Sequence, residues 1–428
     1  MNIQNLYQEV INSTGVSTDT RSIKPGMVFF ALKGNNFDAN NFVQQALDSG
    51  ASVVVTQNEK FRKHKHCYYT ANSLKTLQKL AAMHRENLNS TVIGITGTNG
   101  KTTTKELIRE SLSTIDTVYS TQGNLNNHIG VPLTLLAIKK ETKFAVIEMG
   151  ANHMGEIEFL CKIAQPDYGI ITNIGHAHLE GFGSFENVIK TKTELYRFIK
   201  RKNGKIFVNE DDSLLLEQSG KNERILYGEK ILNAALINDI NPFLKCRWEH
   251  NNKKYTAETH LIGNYNMPNI LAAISIGLYF GGDPEKINTK LSEYIPSNMR
   301  SQWIETNSNK IILDAYNANP TSMATALKNL ADIKNGKKAA ILGDMLELGK
   351  YSDEEHYNIL KLLIELKIDN VILIGDCFNK FKAEFNSFTF FINTAEAKNI
   401  LKKHAIKNHI ILLKGSRGIG VDELKELL

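Results

Sequence analysis

A glycine-rich segment directly after an apolar run constrains the fold of this chain more than any other feature. The run is T-V-I-G-I-T at residues 91–96, and the segment continues G-T-N-G-K-T-T-T at residues 97–104. A buried strand, a glycine-rich turn and the start of a helix, in that order, predict a phosphate-binding loop. In such a loop, backbone N–H groups and the helix dipole both face phosphate oxygens. We therefore predict a nucleotide-binding strand–loop–helix unit, with its helix over residues 105–113.

Two side chains of this loop carry the expected chemistry. Lys101 can reach the β- and γ-phosphates, and the Thr102 hydroxyl can ligate Mg²⁺, which prefers oxygen ligands. The strict Walker spacing would place a glycine at position 95, where this chain has isoleucine; the glycine framework here is Gly94, Gly97 and Gly100. An ordinary glycine-rich turn could also contain G-K-T by chance, but the flanking strand and helix argue against that alternative.

Composition excludes several other classes of protein. Of the 428 residues 42% are hydrophobic, which rules out disorder as the dominant state, and no run of about 18 apolar residues could span a membrane. The 51 Lys and Arg and 45 Asp and Glu residues leave a net charge of +6, too dilute to indicate a nucleic-acid or membrane surface. The four cysteines form no C-x-x-C pair and the N-terminus has no signal-peptide pattern, so we expect a cytoplasmic protein without disulfides.

Alternating strand and helix patterns divide the chain into three α/β regions, at residues 1–85, 86–297 and 298–428. In the first region we predict strands at 26–32 and 51–56 and helices at 42–49 and 74–85. In the second we predict strands at 91–96, 144–149, 168–174 and 205–209. Their continuous apolar character is typical of a mostly parallel sheet that is covered on both faces.

Two stretches complete this organisation. Residues 222–259 have no helical period, and an antiparallel excursion is predicted there. In the third region we predict strands at 310–316, 338–343, 370–375 and 409–415. Because helical segments lie between these strands, they indicate a second doubly wound sheet.

Polar residues at the ends of two central strands are candidate metal ligands. Glu148 ends a strand, where it can hold Mg²⁺ directly or through water, or can simply be a solvated or capping glutamate. His176 and His178 are two residues apart, so an extended backbone would point both to one side. A zinc pair is the obvious interpretation, but no third nitrogen or sulfur ligand lies at a regular spacing. One of the two can be an ordinary loop histidine, and His178 can instead serve a second Mg²⁺.

Lysines and asparagines further along the chain allow two interpretations each. Lys190 and Lys192 lie on a predicted helix, and composition alone favours surface lysines at both positions. Asn266 and Asn269 precede an apolar helix predicted at 270–280. Their amides can read the edge of a base, or they can cap the helix, a role that fits Asn266 well.

Two strand ends in the third region are candidate anion sites. The segment D-A-Y-N-A-N-P at 314–320 lies between a strand and a helix, and K-G-S-R-G at 414–418 follows the last strand. A basic strand end flanked by glycine is suited to bind an anion. The alternative is a tight turn, because Gly and Ser are common turn residues.

Several segments together give the chain a resemblance to a known family. They are T-D-T-R at 18–21, G-T-N-G-K-T at 97–102, G-N-L-N-N at 123–127, E-M-G-A at 148–151, Y-N-A-N-P at 316–320, G-D-M-L-E-L-G at 343–349 and K-G-S-R at 414–417. With these segments the chain resembles, over essentially its whole length, the Mur ligases, the ATP-dependent amide-forming enzymes of peptidoglycan synthesis. The phosphate loop fits every Mur ligase and the related folylpolyglutamate synthases. The G-N-L-N-N, Y-N-A-N-P and G-D-M-x-E-L-G segments are typical of the member that adds D-alanyl-D-alanine.

The resemblance implies a fold, a reaction and a set of ligands. It implies a small N-terminal α/β domain for the UDP moiety, a central P-loop ATPase domain and a C-terminal Rossmann-like domain. The substrates would be UDP-N-acetylmuramoyl-tripeptide and D-alanyl-D-alanine, joined through an acyl phosphate, and a monomer without nucleic-acid partner or membrane insertion is expected. The cofactors would be ATP, two Mg²⁺ ions and a carbamylated lysine, which maps onto Lys192.

The resemblance also implies roles for individual residues. The catalytic residues would be Glu148, His178, Lys192 and Lys101, and the Mg²⁺ ligands would be Thr102, Glu148, His178 and carbamylated Lys192. ATP would contact Gly97, Thr98, Asn99, Gly100, Lys101, Thr102, Thr103, Asn266, Asn269, Arg300 and Asp314. The substrates would contact Thr20, Arg21, Asn124, Asn126, Asn127, Tyr316, Asn317, Asn319, Lys414, Ser416 and Arg417. Two positions depart from the family pattern: Tyr265 replaces a common histidine, and Leu313 replaces a frequent second aspartate.

Two alternative functions follow from the same residues. One is another amide ligase of the superfamily, such as the diamino-acid-adding Mur ligase or a folylpolyglutamate synthase. The other is a P-loop binding or switch protein that hydrolyses ATP slowly and needs no peptide. A panel of substrates distinguishes the first alternative, and a requirement for peptide distinguishes the second.

Overall fold

The structure, a computed structural model, describes residues 2–237, 242–297 and 299–428. Its N-terminal unit is a four-stranded parallel sheet in the order β1-β2-β3-β4 with three helices. The strands are β1 (Val16–Ser17), β2 (Val28–Phe30), β3 (Val53–Thr56) and β4 (Cys67–Tyr69), and the helices are α1 (Ile3–Asn12), α2 (Val43–Asp48) and α3 (Ser73–Glu86). Alternate strand residues pack on opposite faces: Phe30 lies against α1 and α3, and Phe29 lies against α2.

Helix α3 joins this unit firmly to the next one. Its Arg85 is buried, and its guanidinium donates to the Ala164 carbonyl oxygen at 3.1 Å and to the Asp167 carboxylate at 2.8 Å. A buried guanidinium that lost these acceptors would cost several kcal/mol, so α3 is held in one orientation. The helix predicted at 74–85 is therefore confirmed as the connection between the first two units.

The central unit is a six-stranded, fully parallel sheet in the order β10-β9-β8-β5-β7-β6. Its strands are β5 (Thr91–Thr96), β6 (Val118–Ser120), β7 (Phe144–Glu148), β8 (Tyr168–Ile171), β9 (Lys205–Asn209) and β10 (Glu223–Tyr227). Its helices are α4 (Lys101–Leu112), α5 (Gly130–Leu136), α6 (Glu156–Ala164), α7 (Leu179–Phe182), α8 (Phe185–Lys192), α9 (Glu194–Arg201), α10 (Ser213–Ser219), α11 (Met267–Tyr279) and α12 (Pro284–Glu293). Ile93 packs with α4 and α11 on one face, and Val92 packs with α5 and α9 on the other, as continuous apolar strands predict.

Two predictions for this unit need correction. Helix α4 begins at Lys101, four residues before the predicted start at 105, because Gly100 ends the loop with φ +76° and the chain is helical from the next residue. The antiparallel excursion begins later than predicted, because β10 still pairs in parallel with β9. The antiparallel sheet consists of β11 (Ala235–Leu236), β12 (Phe243–His250) and β13 (Lys253–Ile262).

The C-terminal unit is a six-stranded sheet in the order β14-β15-β19-β16-β17-β18, parallel except for β14. Its strands are β14 (Gln302–Glu305), β15 (Lys310–Asp314), β16 (Lys337–Gly343), β17 (Asn370–Ile374), β18 (Thr389–Phe391) and β19 (His409–Lys414). Its helices are α13 (Pro320–Asp332), α14 (Ser352–Glu365), α15 (Asp376–Asn379) and α16 (Thr394–Leu401). Helices cover both faces, which confirms the predicted doubly wound sheet.

Several strands end one to three residues before their predicted ends. In the prediction at 168–174, the residues after β8 bond to the phosphate loop, as when Thr172 Oγ1 donates to the Asn99 carbonyl oxygen at 2.6 Å. Residues 172–174 therefore lie outside β8 and form part of the carboxyl edge of the sheet. Among the described residues, no helix is long and apolar enough to cross a membrane.

Candidate active site

A cavity of about 850 Å³ lies where the three units meet. Most of the residues expected at the site line it: Thr98, Asn99, Gly100, Lys101, Thr103, Asn126, Asn127, Glu148, His178, Asn266, Asn269, Arg300, Asp314, Tyr316, Asn317, Asn319 and Lys414. Gly97 lies in the phosphate loop, and Thr102 lies in the first turn of α4 directly after it. Strand ends of two parallel sheets thus face one space, the usual place for a ligand in this class of fold.

The phosphate loop needs glycine at two of its positions. Gly97 has φ +145°, and an added Cβ would collide with Thr172 Oγ1. Gly100 has φ +76°, and an added Cβ would lie 3.0 Å from Asn269 Oδ1. The loop therefore presents bare backbone at the start of α4, where the helix dipole favours an anion.

Asn173, which sequence analysis did not single out, braces this loop. Its carbonyl oxygen accepts from the Thr98 N–H at 2.9 Å, and its Oδ1 accepts from the Asn99 N–H at 3.0 Å. Its Nδ2 donates to the Asn99 carbonyl oxygen at 3.0 Å. The available signal was its place directly after a central strand, at the carboxyl edge of the sheet.

Lys101 folds back over the loop that it follows. Its Nζ donates to the carbonyl oxygens of Gly97 at 2.8 Å and Thr98 at 2.9 Å. Burial lowers the pKa of Lys101 to about 8, against the opposing attraction of Glu148. The ammonium group is thus held at the phosphate loop by acceptors that a polyphosphate could replace.

Thr102 and Glu148 place hard oxygen donors beside the loop. Thr102 Oγ1 donates to Glu148 Oε2 at 2.9 Å, and Asn126 Nδ2 donates to Glu148 Oε1 at 2.8 Å. The carboxylate is almost fully buried, and its attraction for the Lys101 ammonium raises the pKa of that lysine. A buried carboxylate next to a hydroxyl provides two oxygen ligands that suit Mg²⁺.

Lys192 lies inside the protein, so the interpretation of a surface lysine is wrong for this residue, while Lys190 is exposed. The Lys192 side chain is 2% exposed, and its Nζ contacts the Ala151 carbonyl oxygen at 3.4 Å. Burial, and next the positive charge of Lys101, lower the pKa of Lys192 to about 7. Its place at the buried C-terminal end of α8 explains why composition misled: helix position decides which of the two lysines points inward.

The two loop histidines do not form a pair. His178 has φ +52°, so the backbone is not extended, and its Nδ1 is hydrogen-bonded to the Glu347 carboxylate of the C-terminal unit. His176 Nδ1 lies 3.6 Å from Glu355 Oε1 of the same unit. Within the described part of the chain, the only group of three potential metal ligands is Asp344, His356 and Cys377, so a zinc pair of the two histidines is not supported. The hydrogen bond from His178 lowers the pKa of Glu347.

Asn266 does not cap its helix with its side chain, so that interpretation is wrong. Its Nδ2 donates to the Ile262 carbonyl oxygen at 2.8 Å, and its Oδ1 accepts from Asn269 Nδ2 at 2.9 Å. Asn269 Oδ1 in turn accepts from Thr104 Oγ1 at 2.9 Å. The two amides are held by buried partners beside Gly100, a position that fits contact with a bound nucleotide.

The C-terminal unit contributes charged side chains opposite the phosphate loop. Lys414 Nζ donates to Asp314 Oδ2 at 2.6 Å, and the Arg300 guanidinium stacks 3.9 Å from the centre of the Tyr316 ring. Asn319 reaches across the cavity. Its Nδ2 donates to Asn99 Oδ1 at 2.8 Å, and this bond links the Y-N-A-N-P segment directly to the phosphate loop.

Five expected substrate residues do not line the cavity. Arg21 is exposed and pairs with Asp19 at 2.7 Å, next to Thr20 in a short 3₁₀ helix, and Asn124 is exposed. The other two lie behind the C-terminal wall. Ser416 Oγ accepts from the Leu346 N–H at 2.9 Å, and the Arg417 guanidinium lies 5.9 Å from the Tyr316 ring centre.

Comparison with known proteins gives consistent matches along the chain. Residues 12–89 match the model of the Mur ligase family, catalytic domain, residues 95–277 the Mur ligase middle domain, and residues 299–417 the Mur ligase, glutamate ligase domain. The chain is 36% identical over 427 residues to the UDP-N-acetylmuramoyl-tripeptide–D-alanyl-D-alanine ligase of Bacillus subtilis, which covers 97% of this chain and 93% of that protein. It is 31% identical over 433 residues to the Escherichia coli protein of the same name, with 98% and 94% covered.

Solved structures give the same result. A crystal structure of MurF from Acinetobacter baumannii superposes with a TM-score of 0.86 at 31% identity, covering 99% of this chain and 97% of that one. MurF ligase from Thermotoga maritima, solved in complex with ADP, has a TM-score of 0.83 at 27% identity, with 98% and 97% covered. The three-unit architecture found here is therefore shared along the full length of these proteins.

Proposed function

The chain belongs to the Mur ligase family, and on that premise we propose that it joins D-alanyl-D-alanine to UDP-N-acetylmuramoyl-tripeptide while ATP is cleaved to ADP and phosphate. The observation that carries this proposal is the Asn99–Asn319 bond, which brings a phosphate loop and the Y-N-A-N-P segment to one cavity. The named relatives in Bacillus subtilis and Escherichia coli support the same reaction.

The first step activates the tripeptide. A carboxylate oxygen of the tripeptide attacks the γ-phosphorus of ATP, the bond to the β-phosphate oxygen breaks, and ADP leaves behind an acyl phosphate. Lys101 and the N-terminus of α4 stabilise the negative charge of the transferring group. Because the Lys101 ammonium now bonds to two loop carbonyls, it would exchange them for phosphate oxygens when ATP binds.

The second step forms the amide. The neutral amine of D-alanyl-D-alanine attacks the acyl carbon, a tetrahedral intermediate forms, and phosphate leaves while the nitrogen loses a proton. Tyr316, Asn317 and Asn319 line the side of the cavity from which the amine would arrive. Lys414, 2% exposed and within reach of the same space, is suited to hold the dipeptide carboxylate with Ser416 and Arg417 close behind it.

We assign the Mg²⁺ sites to Thr102, Glu148, His178 and a carbamylated Lys192. The metal would neutralise phosphate charge, the role for which the buried hydroxyl and carboxylate are suited. The neutral amine of Lys192 can attack CO₂, forming a C–N bond and releasing one proton, and the carbamate is an oxygen ligand. A pKa of about 7 makes this reaction accessible near neutral pH, because an ordinary lysine titrates near ~10.4.

We assign the remaining contacts by unit. Asn266, Asn269, Asp314 and Arg300 line the cavity and would contact the nucleotide. Asn126 and Asn127 line the same cavity and would contact the peptide substrate, while the N-terminal unit would hold the UDP moiety with Thr20, Arg21 and Asn124. We place the domain boundaries at 1–85, 86–297 and 298–428, and the enzyme in the cytoplasm as a monomer.

The proposal is tested by the substrate dependence of ADP release. We expect ADP release only when UDP-tripeptide and D-alanyl-D-alanine are both present, with one pentapeptide formed for each ADP. Equal ADP release without peptide would instead support a P-loop switch protein. ADP release with UDP-N-acetylmuramoyl-L-alanyl-D-glutamate and a diamino acid, or with a folate and glutamate, in place of the two substrates would support another ligase of the superfamily.

A further inference from the structure

Two loops from different units meet at the wall of the cavity. His178 follows β8 of the central unit, and Glu347 lies in the G-D-M-L-E-L-G loop after β16 of the C-terminal unit. The His178 Nδ1 is hydrogen-bonded to a Glu347 carboxylate oxygen. The Glu180 N–H donates to the Glu347 carbonyl oxygen at 3.2 Å, so the contact uses both side chain and backbone.

Both residues of this contact have left-handed backbones. His178 has φ +52° and Glu347 has φ +63°. For residues with a Cβ this conformation costs about 1 kcal/mol or more, and it persists where the surrounding structure holds it. Two such residues bonded to each other across an interface indicate that the contact is built into both loops.

The loop that carries Glu347 is fixed at its root. The Asp344 carboxylate accepts from the N–H groups of Cys377 at 2.8 Å and Phe378 at 3.0 Å. His356 Nε2 accepts from the Met345 N–H at 3.0 Å. These bonds occupy the ligand atoms of Asp344 and His356, so this group of residues anchors the loop and is no metal site.

We propose that Glu347 is a positioning residue for His178, which it delivers from the C-terminal unit. The carboxylate accepts the Nδ1 proton and so fixes both the tautomer and the orientation of the ring. The lone pair of Nε2, on the far side of the ring, is then free for a ligand, and this nitrogen has no hydrogen-bond partner among the described residues. The inference rests on the proposed role of His178 as a Mg²⁺ ligand.

The assignment has a structural consequence for the site. A carboxylate behind a ligating histidine raises the basicity of the ligand and holds its direction. Because Glu347 belongs to the other unit, the imidazole is held only while the C-terminal unit is docked on the central unit. Docking and metal binding at His178 would therefore favour each other by the same free energy.

The neighbouring pair provides a matched control. His176 and Glu355 lie across the same interface, with Nδ1 and Oε1 3.6 Å apart, and His176 does not line the cavity. Replacing Glu355 by Gln removes one interface carboxylate, as replacing Glu347 does, without touching His178. A general weakening of docking would affect both variants alike.

The test measures Mn²⁺ binding to the full chain by electron paramagnetic resonance, with a non-hydrolysable ATP analogue present. We expect His178→Ala to weaken Mn²⁺ binding at one site. We expect Glu347→Ala to weaken Mn²⁺ binding at the same site by about 10- to 100-fold, the usual effect of losing a carboxylate behind a ligating histidine. Glu347→Gln, whose amide oxygen still accepts the Nδ1 proton, should lose less, and Glu355→Gln should bind as the unchanged protein does. The double variant His178→Ala/Glu347→Ala should bind no more weakly than His178→Ala, because Glu347 acts through the histidine.

The outcomes separate the two proposals. If His178→Ala weakens Mn²⁺ binding and both Glu347 variants do not, the positioning role is overturned while the metal assignment stands. If His178→Ala binds Mn²⁺ normally, the metal assignment and the positioning role both fall. Equal losses in Glu347→Gln and Glu355→Gln would show a docking effect, and would also overturn the positioning role.

Discussion

The buried amine of Lys192 should react with small electrophiles at a pH where other lysines are protonated. With a pKa of about 7, roughly three quarters of this amine is neutral at pH ~7.5, against ~0.1% of an ordinary lysine that titrates near ~10.4. The difference matters because carbamylation needs the neutral amine. Cyanate, a small linear reagent like CO₂, attaches to the same form and leaves a product that survives mass spectrometry.

The assay compares cyanate modification of Lys192 with the mean of the exposed lysines, peptide by peptide, between pH ~6 and ~10. The ratio cancels the reagent concentration. It should be constant below about pH 7, where both kinds of amine gain neutral form with pH, and should fall about tenfold per pH unit above it, where only the exposed lysines still gain. A ratio independent of pH across the whole range would refute the lowered pKa.

Two variants should shift the break in this ratio, the pH above which it begins to fall, in opposite directions. Lys101→Met removes a like charge that lowers the pKa of Lys192, so the break should move to higher pH. Glu156→Gln removes a negative charge that raises this pKa, so the break should move to lower pH, while the amide oxygen can still accept from the Asn152 N–H. Shifts of the same sign in both variants would contradict the electrostatic explanation.

Three further predictions follow from single contacts. Gly97→Ala should weaken ADP binding by about tenfold or more, measured by calorimetry, because its Cβ would collide with Thr172 Oγ1 at a backbone conformation that costs about 1–3 kcal/mol. Arg85→Met should lower the free energy of unfolding by about 1–3 kcal/mol in denaturant titrations, because the buried Ala164 carbonyl oxygen would lose its donor, while Asp167 keeps the Val92 N–H and Lys202 as partners. Asn319→Ala should raise the KM for ATP more than Ser322→Ala does, since both disturb the start of α13 and only the first loses the bond to the phosphate loop.

How far the sequence predicts this fold depends on where a strand lies in its sheet. The predicted strands at 91–96, 144–149 and 205–209 correspond to interior strands, buried on both faces and therefore written as continuous apolar runs. The strands without a prediction, such as β6, β10 and β14, lie at the edges of the described parallel sheets. An edge strand is partly exposed: β10 reads E-R-I-L-Y, with its first two residues exposed. Such a pattern has no run long enough to separate a strand from a loop.

For the candidate site, predictability depends on whether one short segment or several distant segments form a given feature. Local geometry was predictable where one short segment makes it, as in the loop from Gly97 to Thr102, because glycine freedom and the helix dipole act within a few residues. The environment of Lys192 could not be predicted from its own segment. The low pKa of this residue arises from burial and from the charge of Lys101, which lies about ninety positions earlier in the chain.

The contact between His178 and Glu347 shows what remains beyond reach from the sequence alone. The two residues are 169 positions apart, and neither segment carries a glycine at the position that takes the left-handed conformation. Sequence rules assign such a conformation to Gly or Asn and so predict ordinary backbone at both places. In the structure both residues adopt the left-handed conformation, so the tertiary contact outweighs the local backbone preference. Such departures from local preference are expected at functional sites. Pairs of residues at the cavity wall that have unusual backbone conformations and bond across two units are therefore good candidates for a specific role. Such pairs can link the docking of the units to the binding of a ligand in the cavity.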